Sequence, residues 1–267
     1  MSGYIALTYW DLLWASGFLV LNGVLSIWLK LGLERKLAVA VARMVVQLLI
    51  VGFLLKSLFA VQSPWLTGGV ALFMLLFAGR EVWARQDRKL RGIWGYGLGT
   101  GAMALSAITI TTIGLAAMIG ADPWWSPRFA LPLLGMVLGN GMTGVSLALD
   151  TLHSTVKREK PAIEAQLLLG ATRWEAMRPF TRRSLRSGFM PIINSMAATG
   201  VVSLPGMMSG QILSGVDPTE AVKYQLLVMF LIGGATGLGV LLATFGSVYR
   251  LTDERDRLRL ERLTSGE

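Results

Sequence analysis

Apolar residues run through this chain in long stretches, broken by short polar segments. A run of about 20 apolar residues crosses a bilayer as one helix. The pattern predicts seven such spans, at 10–29, 37–59, 65–78, 97–118, 129–149, 188–213 and 226–248. The third is the shortest. The longest polar stretch, 152–187, falls between the fifth and sixth. No self-similarity at 20–50 residues marks a repeat. The expected fold is therefore all-α, a polytopic membrane protein of about seven transmembrane helices. A single transmembrane domain is expected over 1–267, with a cytoplasmic loop at about 152–187 and a cytoplasmic tail at about 250–267. The first run lacks a basic leader and an A-x-A-like site, so it is expected to remain as a span.

Charge gives the spans a direction. Segments 30–36, 80–91, 152–187 and 250–267 hold 3, 5, 8 and 5 basic residues, or 21 of the 25 Lys and Arg. Lys and Arg collect on the cytoplasmic side, so the N-terminus is expected outside and the C-terminus in the cytoplasm. Tryptophans fit the same register. Trp10, Trp65, Trp124 and Trp125 fall at outer boundaries, and Trp28, Trp83 and Trp94 at or near inner ones. The tail contains Asp253/Arg257 and Arg257/Glu261 pairs four apart, a spacing that predicts a helical extension of the last span.

Composition strengthens this picture. The chain is 53% hydrophobic and 15% charged, where soluble domains carry roughly a quarter charged residues. It has no cysteine, which excludes disulfides, thiolate metal sites and a Cys nucleophile. The net charge of +9 reads as topology and attraction to anionic membrane lipids. Nucleic acid is not an expected partner, because no soluble basic domain exists to bind it.

Polar residues inside spans are candidates for function. Asn22, Arg43 and Gln47 lie at matching depth in the first two spans and predict a polar cluster. The alternative is that Arg43 snorkels along its own stem. Asn140 and Asn194 either bond between helices or line a pathway. Asp150 and His153 are three apart, but two ligands make no metal site, and His153 is expected to be hydrated at the interface. Small residues four apart, Gly97/Gly101, Gly135/Gly139 and Gly233/Gly237, predict close helix packing.

The sixth predicted span contains "SLPGMMSG" at 203–210. Pro205 cannot donate to the carbonyl of Val201, and Gly206 accepts backbone angles that other residues resist. A kink or unwound segment near mid-membrane is expected. Transporters place such breaks at sites and gates. A packing kink filled by the flexible Met207 and Met208 is the other reading.

The polar stretch reads "KREKPAIEAQLLLGATRWEAMRPFTRRSLRSG" from residue 157. Pro161 suits a helix start. Leu167, Leu168, Ala171, Trp174 and Met177 form an apolar face, and Gly170 interrupts the helix. Arg178, Arg182 and Arg186 recur four apart. By composition this is an amphipathic interfacial helix. However, "EAQLLLG" resembles the cytoplasmic loop by which ABC-transporter membrane subunits dock on a separate ATPase.

Taken with "LGN" at 138–140, "LLGAT" at 168–172, "VSLPGMMSGQI" at 202–212 and "GVDPTEAVKYQ" at 215–225, the C-terminal half closely resembles the FetB/YbbM family of bacterial ABC permeases. That family includes plant aluminium-sensitivity relatives. The resemblance implies the permease subunit of an ATP-driven exporter in the bacterial cytoplasmic (inner) membrane, associated with iron or another metal species. It implies a homodimer coupled to a separate ATP-binding subunit. ATP and Mg belong to that partner and no cofactor to this chain, which has no G-x-x-x-x-G-K-[ST] loop. The expected coupling residues are Glu164, Gly170 and Trp174. The expected pathway residues are Asn140, Asn194, Pro205, Gly206, Met207 and Met208. Any metal ligands are open, since thioethers suit Cu(I) better than iron. A stand-alone channel, a non-transport membrane adaptor, and nucleotide-sugar export within the ABC class are the alternatives.

Overall fold

A computed structural model describes residues 8–264. Residues 1–7 and 265–267, the ends of the expected domain and tail, lie outside the described residues. The elements are α1 (Tyr9–Trp28), α2 (Glu34–Val61), α3 (Pro64–Ala84), α4 (Ile93–Ile113), α5 (Pro127–Arg158), α6 (Lys160–Leu168), α7 (Arg173–Ala198), α8 (Gly206–Leu213) and α9 (Pro218–Leu251). A π-helical segment, Gly114–Ile119, continues α4. Among the described residues the only β pairings are three isolated bridges. The expected all-α class is what the chain adopts, and it is a polytopic membrane protein.

Helix starts follow local chemistry. Pro64, Pro127, Pro161 and Pro218 each stand in a first turn, where a missing N–H costs nothing. Thr8 and Thr172 open α1 and α7 with capping boxes to Asp11 and Glu175. Ser26 joins α1 to α2 by donating to Glu34 Oε2 at 3.0 Å and accepting from the Leu33 N–H.

Helix α5 is central. It packs on α3, α4, α7 and α9, and its buried face, with Val137, Val145, Ala148 and Leu149, fills the core. Close approach is set by Gly144 and Gly188. A Cβ on Gly188 would sit 2.9 Å from the Gly144 carbonyl oxygen. Ser184 of α7 locks the same crossing by donating to the Ala148 carbonyl at 2.8 Å and lying 3.2 Å from Thr244 Oγ1 of α9. The sequence's small-residue pairs are only partly used this way. Gly233 and Gly237 abut Met196 and Phe189, whereas Gly97, Gly101 and Gly139 have open space. Helices α1 and α2 lie outside this core, with Trp14, Phe18, Leu48 and Phe53 exposed. Such surfaces are at home in hydrocarbon.

Six helices among the described residues are long and apolar enough to cross a membrane: α1, α2, α3, α4 with its π segment, α5 and α9. The remaining expected span, 188–213, is not a single helix. There α7 ends at Ala198, and a separate short helix, α8, begins at Gly206. Hydropathy registers composition, and it cannot register that the hydrogen-bond ladder stops. The expected loop 152–187 is also corrected: most of it is the end of α5, all of α6 and the first half of α7. Likewise the stretch left between the last two expected spans, 214–225, is largely the start of α9.

The tail corrects its expectation as well. It is not a helical extension. After Thr252 it folds back, with Arg259 N–H donating to the Leu251 carbonyl at 2.8 Å. Leu263 then bridges to Leu90 in the α3–α4 connection, and both leucines are buried. They join Leu152, Val156, Ile163, Met177 and Val248 in a second apolar cluster. That cluster marks one end of the bundle, here the basic end, where α6, the α3–α4 connection and the tail meet.

Candidate functional site

At the basic end, α6 and α7 form a helical hairpin. Ile163 of α6 and Ala176 and Met177 of α7 are fully buried in the second cluster. Its base is thereby fixed. Its tip is the turn at Leu168, Leu169 and Gly170. Gly170 has φ of +92°, a region that glycine enters without the Cβ penalty. Its N–H donates to the Leu167 carbonyl, and the Ala171 N–H to the Gln166 carbonyl. The turn leaves Leu168 and Leu169 88% and 89% exposed. Gly170 thus ends α6, where the sequence had suggested an interruption within one helix.

The three expected coupling residues share this hairpin but do different things. Glu164 lies 3.5 Å from Lys160 on α6. Gly170 makes the turn. Trp174 packs against Phe245 of α9, with ring centroids 5.9 Å apart, and is half exposed. Leu168 served as part of the predicted apolar face together with Leu167 and Ala171, yet only Leu167 and Ala171 turn inward. The capping box was missed, although Thr172-x-x-Glu175 is its plain signature. Glu175 Oε2 accepts from the Thr172 N–H and hydroxyl, both at 2.8 Å. These bonds, the backbone one foremost, hold its carboxyl below the ordinary range.

From the hairpin, α7 carries Arg178, Arg182, Arg183 and Arg186 up to the break. All four are exposed. The break itself lies earlier than the proline. Thr199 bridges to Ser203, Gly200 takes φ of +93°, and the Val202 and Ser203 N–H groups both donate to the Ala198 carbonyl. Pro205 is the N-cap of α8, and its carbonyl accepts from the Ser209 N–H at 3.0 Å. The expected break is present as an unwound segment over 199–205, which begins five or six residues before Pro205 rather than as a kink centred on it.

Beyond the break, Met207 and Gln211 of α8 help line a cavity of about 370 Å³. Arg128, Pro132 and Met136 of α5 and Tyr224 of α9 also line it. The Gln211 Oε1 atom is buried without a hydrogen-bond partner. The sequence singled out Met207 but not Met136 or Gln211, which lie 75 positions apart and reach one cavity only through packing. The remaining expected pathway residues lie off this cavity. Asn140 is half-buried and donates to the Met136 carbonyl of its own helix at 2.9 Å. Asn194 and Gly206 are exposed, and Met208 is half-buried.

The Asn22–Arg43–Gln47 cluster does not form. Arg43 pairs instead with Glu81 of α3 at 2.7 Å and lies over the Phe77 ring. Asn22 and Gln47 are exposed. The shortness assigned to the third span hid Glu81, which belongs to α3. His153 also departs from expectation. It is buried, with Nδ1 2.9 Å from the Arg88 carbonyl and Nε2 2.7 Å from Ser247 Oγ. It ties α5, α9 and the α3–α4 connection together. Among the described residues, no group of three or more His, Cys, Asp or Glu could hold a metal ion.

These features define a polytopic membrane protein with a helical hairpin at its basic end and a broken helix leading away from it. The chain belongs to the family described as "Uncharacterised protein family (UPF0014)", which matches residues 9–252. It is 35% identical to a UPF0014 membrane protein of Synechocystis over 92% of this chain and 94% of that one. It is 33% identical to the "Probable iron export permease protein FetB" of Escherichia coli over 88% of each chain. It is 31% identical to the "Protein ALUMINUM SENSITIVE 3" of Arabidopsis thaliana, over 83% of this chain and 79% of that one. No solved structure matches it.

Proposed function

We propose that this chain is the permease subunit of an ATP-driven exporter whose cargo is iron or another metal species. The name of the Escherichia coli relative supports the cargo class. ATP and Mg are handled by a separate ATP-binding subunit, and two copies of the permease pair in the bacterial cytoplasmic membrane. The basic end faces the cytoplasm, as the placement of Lys and Arg supports. In this reading the second half of α7 and α8 together serve as the sixth span, between α5 and α9.

One observation carries the reading. Two adjacent leucines stand almost fully exposed on a turn whose base is rigidly buried. Apolar side chains held out on a well-anchored tip suit insertion into a partner's pocket. Glu164, Gly170 and Trp174 support that tip as a helix pair, a turn and an anchor. Movement of the tip passes along α7 toward the break at 199–203 and to the cavity beside Met207.

Leu168→Ser with Leu169→Ser tests this, because neither leucine contributes to the core. The variant should insert and fold as the wild type does. It should lose co-purification with a co-expressed ATP-binding subunit and lose stimulation of that subunit's ATPase. Undiminished binding and stimulation overturn the coupling role.

A further inference from the structure

A cavity of about 490 Å³ opens where the tail meets the first turn of α7 and the ends of α4 and α9. Five arginines line it, Arg173, Arg250, Arg255, Arg257 and Arg262, against two carboxylates, Asp253 and Glu254. Asp253 is already saturated. Its Oδ1 accepts from the N–H groups of Arg255 and Arg257, and its Oδ2 from Nε of Arg257 and Arg259. Arg173 is paired with Asp256.

Three of the guanidinium groups keep uncompensated charge. Arg262 Nη1 is held by neutral acceptors, the carbonyls of Arg250 and Thr252, at 2.6 and 3.3 Å. Arg250 rests over the Trp94 ring, 4.8 Å from its centroid. Arg255 is exposed. Among the described residues none of these three has a carboxylate within 4.0 Å. The fold itself converges them, since Arg262 is fixed by the Leu263–Leu90 bridge and Arg250 by the end of α9. Glu254 also lines the cavity but lies within 4.0 Å of none of the three; like charges held together without a paired carboxylate cost free energy that a bound anion offsets.

We propose that this cavity binds a phosphate-bearing anion. Guanidinium groups match phosphate oxygens in bidentate geometry and are weakly hydrated. The walls are aromatic as well as basic. Trp94 stands in the first turn of α4 and Tyr249 in the last turn of α9, at the ends of two candidate spans, where aromatic residues favour headgroup level. Either an anionic phospholipid headgroup or a soluble phosphate compound supplies the chemistry.

The test uses the full chain and needs no ATPase, so its outcome is independent of the exporter reading. Pyrophosphate is titrated into protein held in phosphatidylcholine nanodiscs, with binding read by calorimetry. In parallel, retained phosphatidylglycerol is read by native mass spectrometry against phosphatidylcholine. Binding of pyrophosphate assigns a soluble source. Selective retention of phosphatidylglycerol alone assigns a headgroup. Arg250→Gln with Arg255→Gln should weaken the bound species about tenfold or more, the loss expected from a charge-assisted contact. Arg35→Gln with Lys36→Gln removes the same charge on α2 and should change nothing. Exposed Arg255→Gln alone should also weaken binding, which guards against misfolding at Arg250. Absence of both ligands, or equal losses in the α2 control, overturns the proposal.

Discussion

Arg173 donates from Nε to Asp256 Oδ1 at 2.6 Å, joining residues 83 positions apart. Arg173 is the first residue of α7 and lies across the Tyr249 ring. Asp256 stands on the tail at φ of +53°. The tail is thus tied at two points, to the hairpin through this pair and to the α3–α4 connection through Leu263 and Leu90.

The pair is only part-buried, with Asp256 37% exposed, so solvent screens it. Asp256→Asn should cost about 1 kcal/mol or less. Its effect should be local. Amide hydrogen exchange over residues 169–175 should speed up by at most about fivefold, with the core helices unchanged. Arg173→Asp with Asp256→Arg should restore slow exchange. Unaltered exchange in the single variant shows that the tail does not restrain the hairpin.

His153 holds three segments through two hydrogen bonds in a buried site. His153→Ala leaves the Arg88 carbonyl and Ser247 hydroxyl without partners and opens a void. The cost should be about 3 kcal/mol or more. A melting temperature in detergent close to wild type shows that the two groups find other partners.

Gly144 and Gly188 set the α5–α7 crossing. Gly188→Leu forces a side chain into Val240 and Ala148, which a Cβ alone would meet at 2.8 and 2.9 Å. It should destabilise by about 2 kcal/mol or more. Gly139→Ala, in open space on α5, should stabilise by up to about 1 kcal/mol. Thermal unfolding of the two variants in detergent distinguishes packing glycines from permissive ones.

Pro205→Ala with Gly206→Leu does not heal the broken helix, because the ladder stops at residues 199–203. Spin labels at positions 195 and 210 should report the same separation in variant and wild type. A shift to about 22 Å, the length of a continuous helix, shows that the proline caused the break. Gly200→Ala should instead strain the turn by about 1–2 kcal/mol.

Orientation is checked separately. A reporter fused after Arg250 should read cytoplasmic, and one inserted near Asp122 external. The opposite reading at either point reverses the assignment of the basic end.

Crossing a membrane depends on length and composition, both local in sequence, so the helical class and six of the seven expected spans were legible. Prolines at helix starts were legible for the same reason, as Pro161 was. The Thr172–Glu175 capping box was there to be read in its spacing, and was not. Other features needed the folded chain. Arg43 finds Glu81 38 positions away, His153 finds Ser247 94 positions away, and Met136 and Gln211 line one cavity from α5 and α8. The tail shows the difference most directly. Its charges four apart fit a helix, but Leu263 loses more by standing in water than the tail gains from exposed ion pairs. Burial against Leu90 decides the fold of that segment, and Leu90 lies 173 residues away in sequence, where no local pattern reaches.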